Sequence, residues 1–178
     1  MDLIYKKLNI EIYNDGKWII KKFLKSWNSD NAEYNKKQLH GINHKFCIED
    51  YKLFQSKNPD FVEIVSFESN NDCDIVIMPK LKGKEWNQVK EDLPKDVIYN
   101  FCIVNSFKWI RAFLDFSLGN DRVFYHGDLR PANVFIDNNY NPCVIDPDSM
   151  EWISRENFLL NIQKQQADFF TEFYRFYK

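Results

Sequence analysis

The sequence predicts an α+β fold in which a small antiparallel sheet precedes a mainly helical part. Three observations lead to this prediction. Short runs rich in β-branched and aromatic residues, bounded by turn signals, dominate the first part of the chain. Apolar residues then recur at helical spacing over residues 95–118 and 155–174. The length of 178 residues suits one domain, or two small lobes that share a site between them.

A hairpin is predicted near the start of the chain. Residues 10–13 and 17–24 are rich in β-branched and aromatic side chains, and they flank an Asp-Gly turn signal. Strand alternation puts Ile19, Lys21 and Phe23 on one face. A lysine among large apolar residues is costly unless its charge is used. The alternative is a lysine on an edge strand that prevents aggregation.

Two helices and two strands are expected after the hairpin, in the order helix 30–41, helix 46–55, strand 61–67 and strand 74–78. Asp30 and Glu33 resemble a capping box at the start of the first helix. An extended linker over residues 79–83 follows the last strand. We therefore expect a first lobe over residues 1–82 and a second over residues 83–178.

The second lobe is predicted to hold two helices around a group of short strands. The expected elements are helix 95–118, strand 123–125, loop 126–133, strand 134–136, strand 143–145 and helix 155–174. Helical spacing predicts buried faces formed by Val97, Phe101, Val104, Phe107, Ile110 and Leu114 in the first helix, and by Phe158, Ile162, Phe169 and Phe173 in the last. The first helix should lie in the core beneath the loop.

Composition argues against several classes of protein. No apolar run approaches the roughly 20 residues that cross a bilayer, and the first seven residues contain no apolar signal-peptide core, so we expect a cytoplasmic location. The lysines show no interleaved aromatic pattern on a recognisable nucleic-acid-binding module. The cysteines form no CxxC pair, which predicts buried thiols rather than a zinc site or disulfides; they are Cys47, Cys73, Cys102 and Cys143.

Three oxygen-bearing side chains mark the candidate site. Asp128 lies in the loop after the strand over 123–125, Asn133 follows it by five residues, and Asp146 comes 13 residues later at the end of a buried strand. An aspartate beside an incoming hydroxyl group can orient it and accept its proton. Carboxylate and amide oxygens, with phosphates as further ligands, are typical of magnesium sites. The pattern therefore predicts a site for a metal and a nucleotide.

The run His126-Gly127-Asp128-Leu129-Arg130-Pro131-Ala132-Asn133, followed by Ile145-Asp146, resembles the catalytic loop and metal-binding aspartate of the protein-kinase-like superfamily. The His-Gly-Asp form is similar to that of aminoglycoside phosphotransferases and choline-type kinases. The resemblance implies that Asp128 is the catalytic base and that Asn133 and Asp146 bind magnesium. His126 would support the backbone of the loop.

The resemblance extends to the first lobe. Residues 18–21 look like the strand whose lysine binds the α- and β-phosphates, with Lys22 as a fallback. Residues 77–83 look like the hinge that reads adenine through backbone groups. The implied nucleotide-binding positions are Lys21, its possible ion-pair partner Glu33, and Ile19, Met78 and Lys80. Asp168 resembles a helix aspartate that braces the catalytic loop, although a solvated aspartate is an equal alternative.

The sequence also departs from the family pattern. Residues 5–9 contain no glycine where a Gly-rich phosphate loop is usual. Asp146 is followed by Pro147 and Asp148 instead of Phe-Gly; Pro147 stiffens the backbone, and Asp148 could be a further metal ligand. Arg130 resembles the lysine of Ser/Thr kinases that neutralises the moving phosphoryl group. Few residues follow Asp146, so we expect a two-lobed, minimal kinase-like fold whose mainly helical second lobe has a truncated C-terminal part.

The leading hypothesis is an ATP-dependent phosphotransferase that uses magnesium and transfers the γ-phosphoryl group to a hydroxyl acceptor. The His-Gly-Asp form favours a small molecule or sugar, whereas Arg130 and the small second lobe allow a protein acceptor. A catalytically inactive nucleotide-binding module is the first alternative, because the glycine loop is missing. Transfer of a nucleotidyl (AMP) group on the same fold is the second. The oligomeric state stays open.

Overall fold

The structure is a computed structural model that describes residues 1–7, 10–24 and 47–177. The helix predicted over 30–41, with Asp30 and Glu33, lies outside the described residues. The described part combines antiparallel sheet and helices, so the α+β prediction is confirmed. None of the helices described is both long enough and apolar enough to cross a membrane.

A five-stranded antiparallel sheet forms the first part of the fold. Its strands are β1 (Asp2–Lys7), β2 (Ile10–Asn14), β3 (Trp18–Leu24), β4 (Ser66–Ser69) and β5 (Cys73–Pro79). Their order is β1-β2-β3-β5-β4, and each neighbouring pair is antiparallel. We did not predict β1, which pairs with β2 and has a register irregularity near Leu3 and Tyr5.

The predicted β2–β3 hairpin is confirmed, and its turn chemistry explains it. The Asp15 carboxylate accepts the backbone N–H groups of Lys17 at 3.0 Å and Trp18 at 2.6 Å. Gly16 takes the positive φ of 95° that the turn needs, which glycine adopts without a steric cost. An aspartate followed by a glycine therefore closes the hairpin.

The strand β3 presents a partly apolar face toward the rest of the molecule. Phe23 is 2% exposed and Lys21 is 6% exposed, and Ile19 is half-buried on the same face. Lys21 pairs with Val76 and Ile19 with Met78 across the β3–β5 ladder, so all of these side chains share one side of the sheet. The predicted facing of Lys21 is confirmed, and its charge is buried.

The strand predicted over 61–67 is wrong in its first part. Phe61 forms only an isolated parallel bridge with Val144, and the N–H of Val62 donates to the Val144 carbonyl oxygen at 2.9 Å. The chain reaches the five-stranded sheet at Val65, whose N–H donates to the Ile77 carbonyl oxygen of β5 at 2.9 Å, and β4 begins at Ser66. The apolar run predicted burial correctly. Its first residues contact β9 and its last residues pair with β5, so the run connects the sheet to the second part of the fold.

The helical part begins with α1 (Ile48–Lys57) and continues with α2 (Trp86–Val89), α3 (Lys95–Tyr99) and α4 (Ser106–Phe116). A π-helical segment, Asn100–Asn105, joins α3 to α4, so the predicted helix over 95–118 is not uniform. The wider π turn rotates the later side chains relative to an ideal helix. Val104, Phe107 and Leu114 are therefore exposed, and the buried apolar positions are Ile98, Phe101, Cys102, Trp109 and Phe113.

Short strands frame the loop that holds the candidate residues. They are β6 (Lys84–Glu85), β7 (Arg122–His126), β8 (Val134–Ile136), β9 (Pro142–Val144) and β10 (Met150–Ser154), arranged in two small sheets of order β6-β8-β9 and β10-β7. The predicted strands at 123–125, 134–136 and 143–145 are thus confirmed to within a residue or two. A long helix, α5 (Arg155–Tyr177), ends the described chain and buries Phe158 and Phe169 as predicted.

One hydrophobic core runs from the sheet into the helical part, and aromatic rings dominate it. Phe54 and Phe61 meet edge to face with their centroids 4.8 Å apart, and Trp86 stacks on Phe101 at 4.0 Å. Such pairs contribute about 0.5–1.5 kcal/mol beyond simple burial. Phe23 of the sheet belongs to the same cluster. Residues from both predicted lobes contribute to this one core. The lobe boundary between residues 82 and 83 stays a prediction.

Two glycines at positive φ give a matched test of the packing around β6. Alanine at Gly119 (φ 82°) would meet open space, whereas a Cβ at Gly83 (φ 146°) would press against the Ile136 carbonyl oxygen. We expect Gly119→Ala to reduce the free energy of unfolding by about 1 kcal/mol and Gly83→Ala by roughly 3 kcal/mol or more. Urea denaturation measures both. Equal losses would contradict the close approach of Gly83 to β8.

Candidate active site

The buried Lys21 ammonium connects the sheet to two aspartates that lie far along the chain. Its Nζ lies 2.9 Å from Oδ1 and 3.0 Å from Oδ2 of Asp148, and 3.2 Å from Oδ1 of Asp146. Lys21 therefore uses both carboxylate oxygens of Asp148 but one oxygen of Asp146. The Asp148 side chain is 10% exposed and the Asp146 side chain 34%. The predicted phosphate lysine and the predicted metal aspartate thus come together.

The electrostatics of this group keep Lys21 charged. Burial alone lowers the pKa of the Lys21 ammonium, but the negative charges of Asp148 and Asp146 outweigh burial and raise that pKa to about 12. A lysine in the middle of an apolar face is stable only with such partners. Lys22, the fallback, lies on the opposite face of β3 and is only half-buried.

The loop after β7 holds Asp128 and Asn133 in direct contact. The Asn133 amide nitrogen donates to the Asp128 backbone oxygen and to its carboxylate Oδ2, each at 2.8 Å. Arg130 contacts the same oxygen, with a guanidinium nitrogen 3.2 Å from Oδ2. Both Asp128 and Arg130 are about half exposed, so the carboxylate faces solvent while its orientation is fixed from beneath by Asn133.

His126 links this loop to the segment that carries Asp146. Its Nε2 lies 2.8 Å from the carbonyl oxygen of Ile145, and its Nδ1 accepts the backbone N–H of Asp128 at 3.2 Å. Because a carbonyl can only accept and an N–H can only donate, these bonds assign the neutral tautomer with its proton on Nε2. Burial lowers the pKa of His126, which favours the same neutral form. The predicted structural role of His126 is confirmed.

Asp146 adopts a left-handed backbone conformation, with φ 61° and ψ 54°. Aspartate and asparagine tolerate this region better than most residues. A 3₁₀ turn, Pro147–Ser149, begins immediately after it, and its proline has a fixed φ that suits the first turn position. The Ser149 N–H donates to the Asp146 carbonyl at 3.0 Å. The sharp change of direction returns the chain toward the loop and aims Asp148 at Lys21.

A short backbone contact joins the 3₁₀ turn to the loop that carries Asp128. The Gly127 N–H donates to the Ser149 carbonyl at 2.8 Å, and a Cβ at Gly127 would lie only 3.2 Å from that oxygen. The strand β10 then pairs with β7, with Met150 opposite His126. The segment from His126 to Met150 is therefore a closed loop whose two ends pair in one ladder. The short distance to the Ser149 carbonyl oxygen explains why a small residue follows the histidine.

Gln165 is the residue of α5 that supports the loop, and it was not identified from the sequence. Its Nε2 donates to the His126 backbone oxygen at 3.0 Å, and the residue is 7% exposed. The prediction that Asp168 braces the loop is wrong, because that side chain is exposed on α5. A glutamine at a buried helix position was the available signal, since a buried amide needs a partner.

The remaining predicted nucleotide-binding residues lie on the side of the site that the sheet forms. Ile19 and Met78 are direct cross-strand partners on the face that carries Lys21. Lys80 follows β5 with an exposed side chain, and its backbone N–H donates to the Lys17 carbonyl at 2.9 Å. Any backbone contact of Lys80 with an adenine would therefore use its carbonyl oxygen. Glu33 lies outside the described residues.

The oxygen donors fit a magnesium ion held partly by substrate. Asn133 uses its amide nitrogen for Asp128, so its amide oxygen is the atom that a metal would contact. Within the described ranges, no group of three or more His, Cys, Asp or Glu side chains could hold a metal alone. Magnesium usually takes one or two protein oxygens plus phosphates and water. Asp148, predicted as a possible further ligand, instead has both oxygens on Lys21.

Comparison with known proteins gives the fold. No protein-family model matches the chain, and no curated protein matches it. Among solved structures, WbdD in complex with the kinase inhibitor LY294002 is 18% identical over 90% of this chain and 35% of that one, with a TM-score of 0.54. The Cydia pomonella granulovirus kinase PK-1 is 16% identical over 86% of this chain and 52% of that one, with a TM-score of 0.52. The apo form of PpkA-294 is 14% identical over 83% and 57%, with a TM-score of 0.54.

These similarities confirm the predicted protein-kinase-like fold, with its small antiparallel sheet followed by a mainly helical part. At such identities the likeness establishes the fold and leaves the activity to be tested. The chain spans between 35% and 57% of the length of these three solved chains. The residues discussed above therefore lie within a kinase-like fold.

Replacing Gln165 tests which residue of α5 braces the loop. Gln165→Ala removes the donor to the His126 carbonyl, and we expect the free energy of unfolding to fall by about 1–3 kcal/mol. Asp168→Ala is the matched control on the same helix, and its exposed position predicts a change within about 0.5 kcal/mol. Chemical denaturation of both variants provides the comparison. A larger loss for Asp168→Ala would restore the original prediction.

The buried imidazole predicts a pH dependence of stability. An unfolded histidine gains a proton near pH 6.5, whereas His126 has a lowered pKa and stays neutral in the folded state. As the pH falls below about 6.5, the unfolded state binds more protons, so the free energy of unfolding falls by up to about 1.4 kcal/mol per pH unit until the folded pKa is reached.

The control for this pH dependence is His126→Gln, which cannot titrate. Urea denaturation between about pH 7 and pH 5 should give a shallower decline for the variant, whatever its absolute stability. His40 and His44 are present in both proteins, so their contributions cancel. Identical slopes would show that His126 accepts a proton in the folded protein.

Proposed function

We propose that this kinase-like chain is an ATP-dependent phosphotransferase that transfers the γ-phosphoryl group to a hydroxyl acceptor. The observation that carries the proposal is the meeting of Lys21 with Asp146 at 3.2 Å, beside a loop in which Asn133 orients Asp128. A cation, a candidate metal ligand and a candidate base are thus supplied by three separate segments. A purely structural role would not require the carboxylates of Asp128 and Asp146 to remain partly exposed.

Lys21 is the proposed phosphate-binding cation. Its ammonium is charged, buried on the inner face of β3, and held at a fixed position by two aspartates. Such a preorganised charge stabilises anionic groups without reorganisation of the protein. Ile19 and Met78, on the same face, offer an apolar surface for a base, and the carbonyl of Lys80 offers an acceptor. The proposed nucleotide site lies between a first lobe, residues 1–82, and a second, residues 83–178.

Asn133 and Asp146 are the proposed magnesium ligands. Both present hard oxygen atoms, and the backbone bond from Ile145 N–H to the Asn133 carbonyl, at 2.9 Å, ties their segments together. Bound magnesium would neutralise charge on the phosphates and on the transferred group. Lys21 contacts only Oδ1 of Asp146, so Oδ2 is the oxygen that a metal would contact first. If Oδ1 also turned to the metal, Asp148 would still hold the lysine through both of its oxygens.

Asp128 is the proposed catalytic base. The acceptor hydroxyl would lose its proton to the Asp128 carboxylate as its oxygen bonds to the γ-phosphorus, while the bond from that phosphorus to the oxygen bridging to the β-phosphate breaks and ADP leaves. Asn133 holds the carboxylate from beneath through Oδ2. Because Asp128 is half exposed, the acceptor can approach it from solvent.

Arg130 is the proposed second catalytic group. Its guanidinium is half exposed and lies 3.2 Å from Asp128, so it can contact an anionic group that reaches the base. A guanidinium presents several donors in a fixed plane and suits phosphate oxygens. The acceptor class, a small molecule or sugar versus a protein, is decided by the test below.

Two isosteric variants test the assignment. Asp128→Asn removes the base, and Asp146→Asn removes the metal-binding charge while keeping a residue that tolerates the left-handed backbone. We expect each to lower the rate of phosphoryl transfer by roughly 10²- to 10⁴-fold. The measurement is ADP release from magnesium-ATP with panels of sugars, amino alcohols and proteins. Asp92→Asn, an exposed loop substitution, controls for the loss of one charge.

The products separate the possible activities. Transfer of phosphate, detected by mass spectrometry and abolished in Asp146→Asn, supports the proposal. Full activity in Asp146→Asn would refute the assigned mechanism. Binding of magnesium-ATP without turnover would favour an inactive nucleotide-binding module, which the absence of glycine from residues 5–9 also favours. An AMP adduct on the acceptor would instead show nucleotidyl transfer.

A further inference from the structure

We propose that Asp148 is a positioning residue that holds the phosphate-binding lysine in place during the nucleotide cycle. The inference rests on the function proposed above, and it gives Asp148 a role that its position next to the metal aspartate does not suggest. Asp148 and Lys21 are separated by 127 residues, and the ammonium lies within 3.0 Å of both oxygens of the carboxylate. The pair is therefore bidentate and spans the site.

The two aspartates beside Lys21 differ in burial and in contact. Asp148 is 10% exposed and contributes both oxygens, whereas Asp146 is 34% exposed and contributes one oxygen at 3.2 Å. A carboxylate that exchanges between a lysine and a metal needs access to the bound ligand, and Asp146 has it. A carboxylate that stays with the lysine needs burial and two contacts, and Asp148 has both.

The backbone at Asp148 is constrained as well as its side chain. It sits in the centre of the 3₁₀ turn Pro147–Ser149, with a proline before it and the strand β10 directly after it. The Ser149 carbonyl accepts the Gly127 N–H at 2.8 Å, so the turn is attached to the loop that carries Asp128. Among the described residues, a glycine or any uncharged residue at position 148 would leave Lys21 with Asp146 as its carboxylate partner.

This arrangement gives the lysine a partner that does not belong to the first lobe. If Asp146 turns to a metal, Lys21 loses part of the negative charge that compensates its buried ammonium, which is unfavourable. With Asp148 in place, the Lys21 ammonium keeps a full negative charge beside it and stays in position to contact the phosphates. We therefore assign Asp148 to nucleotide affinity and Asp146 to the chemical step.

The test compares Asp148→Asn with Asp92→Asn, which removes the same charge from an exposed loop. Asp148→Asn should raise the dissociation constant of magnesium-ATP and its KM by about tenfold or more, with a smaller effect on kcat. Asp92→Asn should leave both unchanged. Asp148→Glu, which keeps the charge on a longer side chain, should recover most of the affinity, and it also serves if Asp148→Asn does not fold.

A double-substitution cycle shows whether Asp148 acts through Lys21. Adding Asp148→Asn to Lys21→Met should weaken magnesium-ATP binding no further than Lys21→Met alone, because the lysine that Asp148 positions is already absent. Full additivity of the two losses would overturn the proposal. A larger loss of affinity in Glu33→Gln than in Asp148→Asn would also overturn it, since Glu33 would then be the main partner of Lys21.

The outcomes distinguish this inference from the proposed function. Wild-type binding and turnover with an unchanged KM in Asp148→Asn would refute the role of Asp148 and leave the phosphotransferase intact. No binding of magnesium-ATP by the wild-type protein would refute both. Weaker binding in Asp148→Asn, recovered in Asp148→Glu and absent from Asp92→Asn, supports the positioning role.

Discussion

The buried ion pair between Lys21 and Asp148 is the constraint that joins the sheet to the loops of the second part of the fold. Removing two charges from water costs several kcal/mol, and the pair is tolerable only because each partner satisfies the other at about 3 Å. Apolar residues would hold the two parts together at least as well. The pair is therefore better explained by the position it gives to the lysine than by stability.

His126 plays the corresponding role within the loops. One ring nitrogen contacts the residue before Asp146, and the other accepts the N–H of Asp128, so a single neutral side chain sets the distance between the candidate metal ligand and the candidate base. Asn133 adds a second link, with its amide on Asp128 and its carbonyl on the N–H of Ile145. Groups that are connected in this way keep their geometry when a substrate arrives, which is what transfer chemistry requires.

Sequence reasoning succeeded where local chemistry decides the structure. The Asp-Gly turn, the alternation of β3 and the polar loop between short strands are all determined by neighbouring residues, and the structure has them as predicted. It failed where a distant partner decides. The run from Phe61 divides between β9 and β5, the π-helical segment changes which residues of α4 are buried, and Gln165 replaces Asp168 as the brace. Helical periodicity assumes 3.6 residues per turn and cannot anticipate a wider turn.

The sequence by itself determined the identity of the candidate site: three oxygen-bearing residues at defined spacing after a histidine, and a lysine in an early strand. These are short-range patterns, because the spacing within one loop limits where its side chains can point. The tertiary structure decided the pairing. It brought Lys21 to Asp148 as well as to Asp146, assigned the proton on His126 to Nε2, and placed an amide from the last helix beneath the loop. Contacts between residues more than a hundred positions apart depend on how the whole core packs, and no local pattern encodes them.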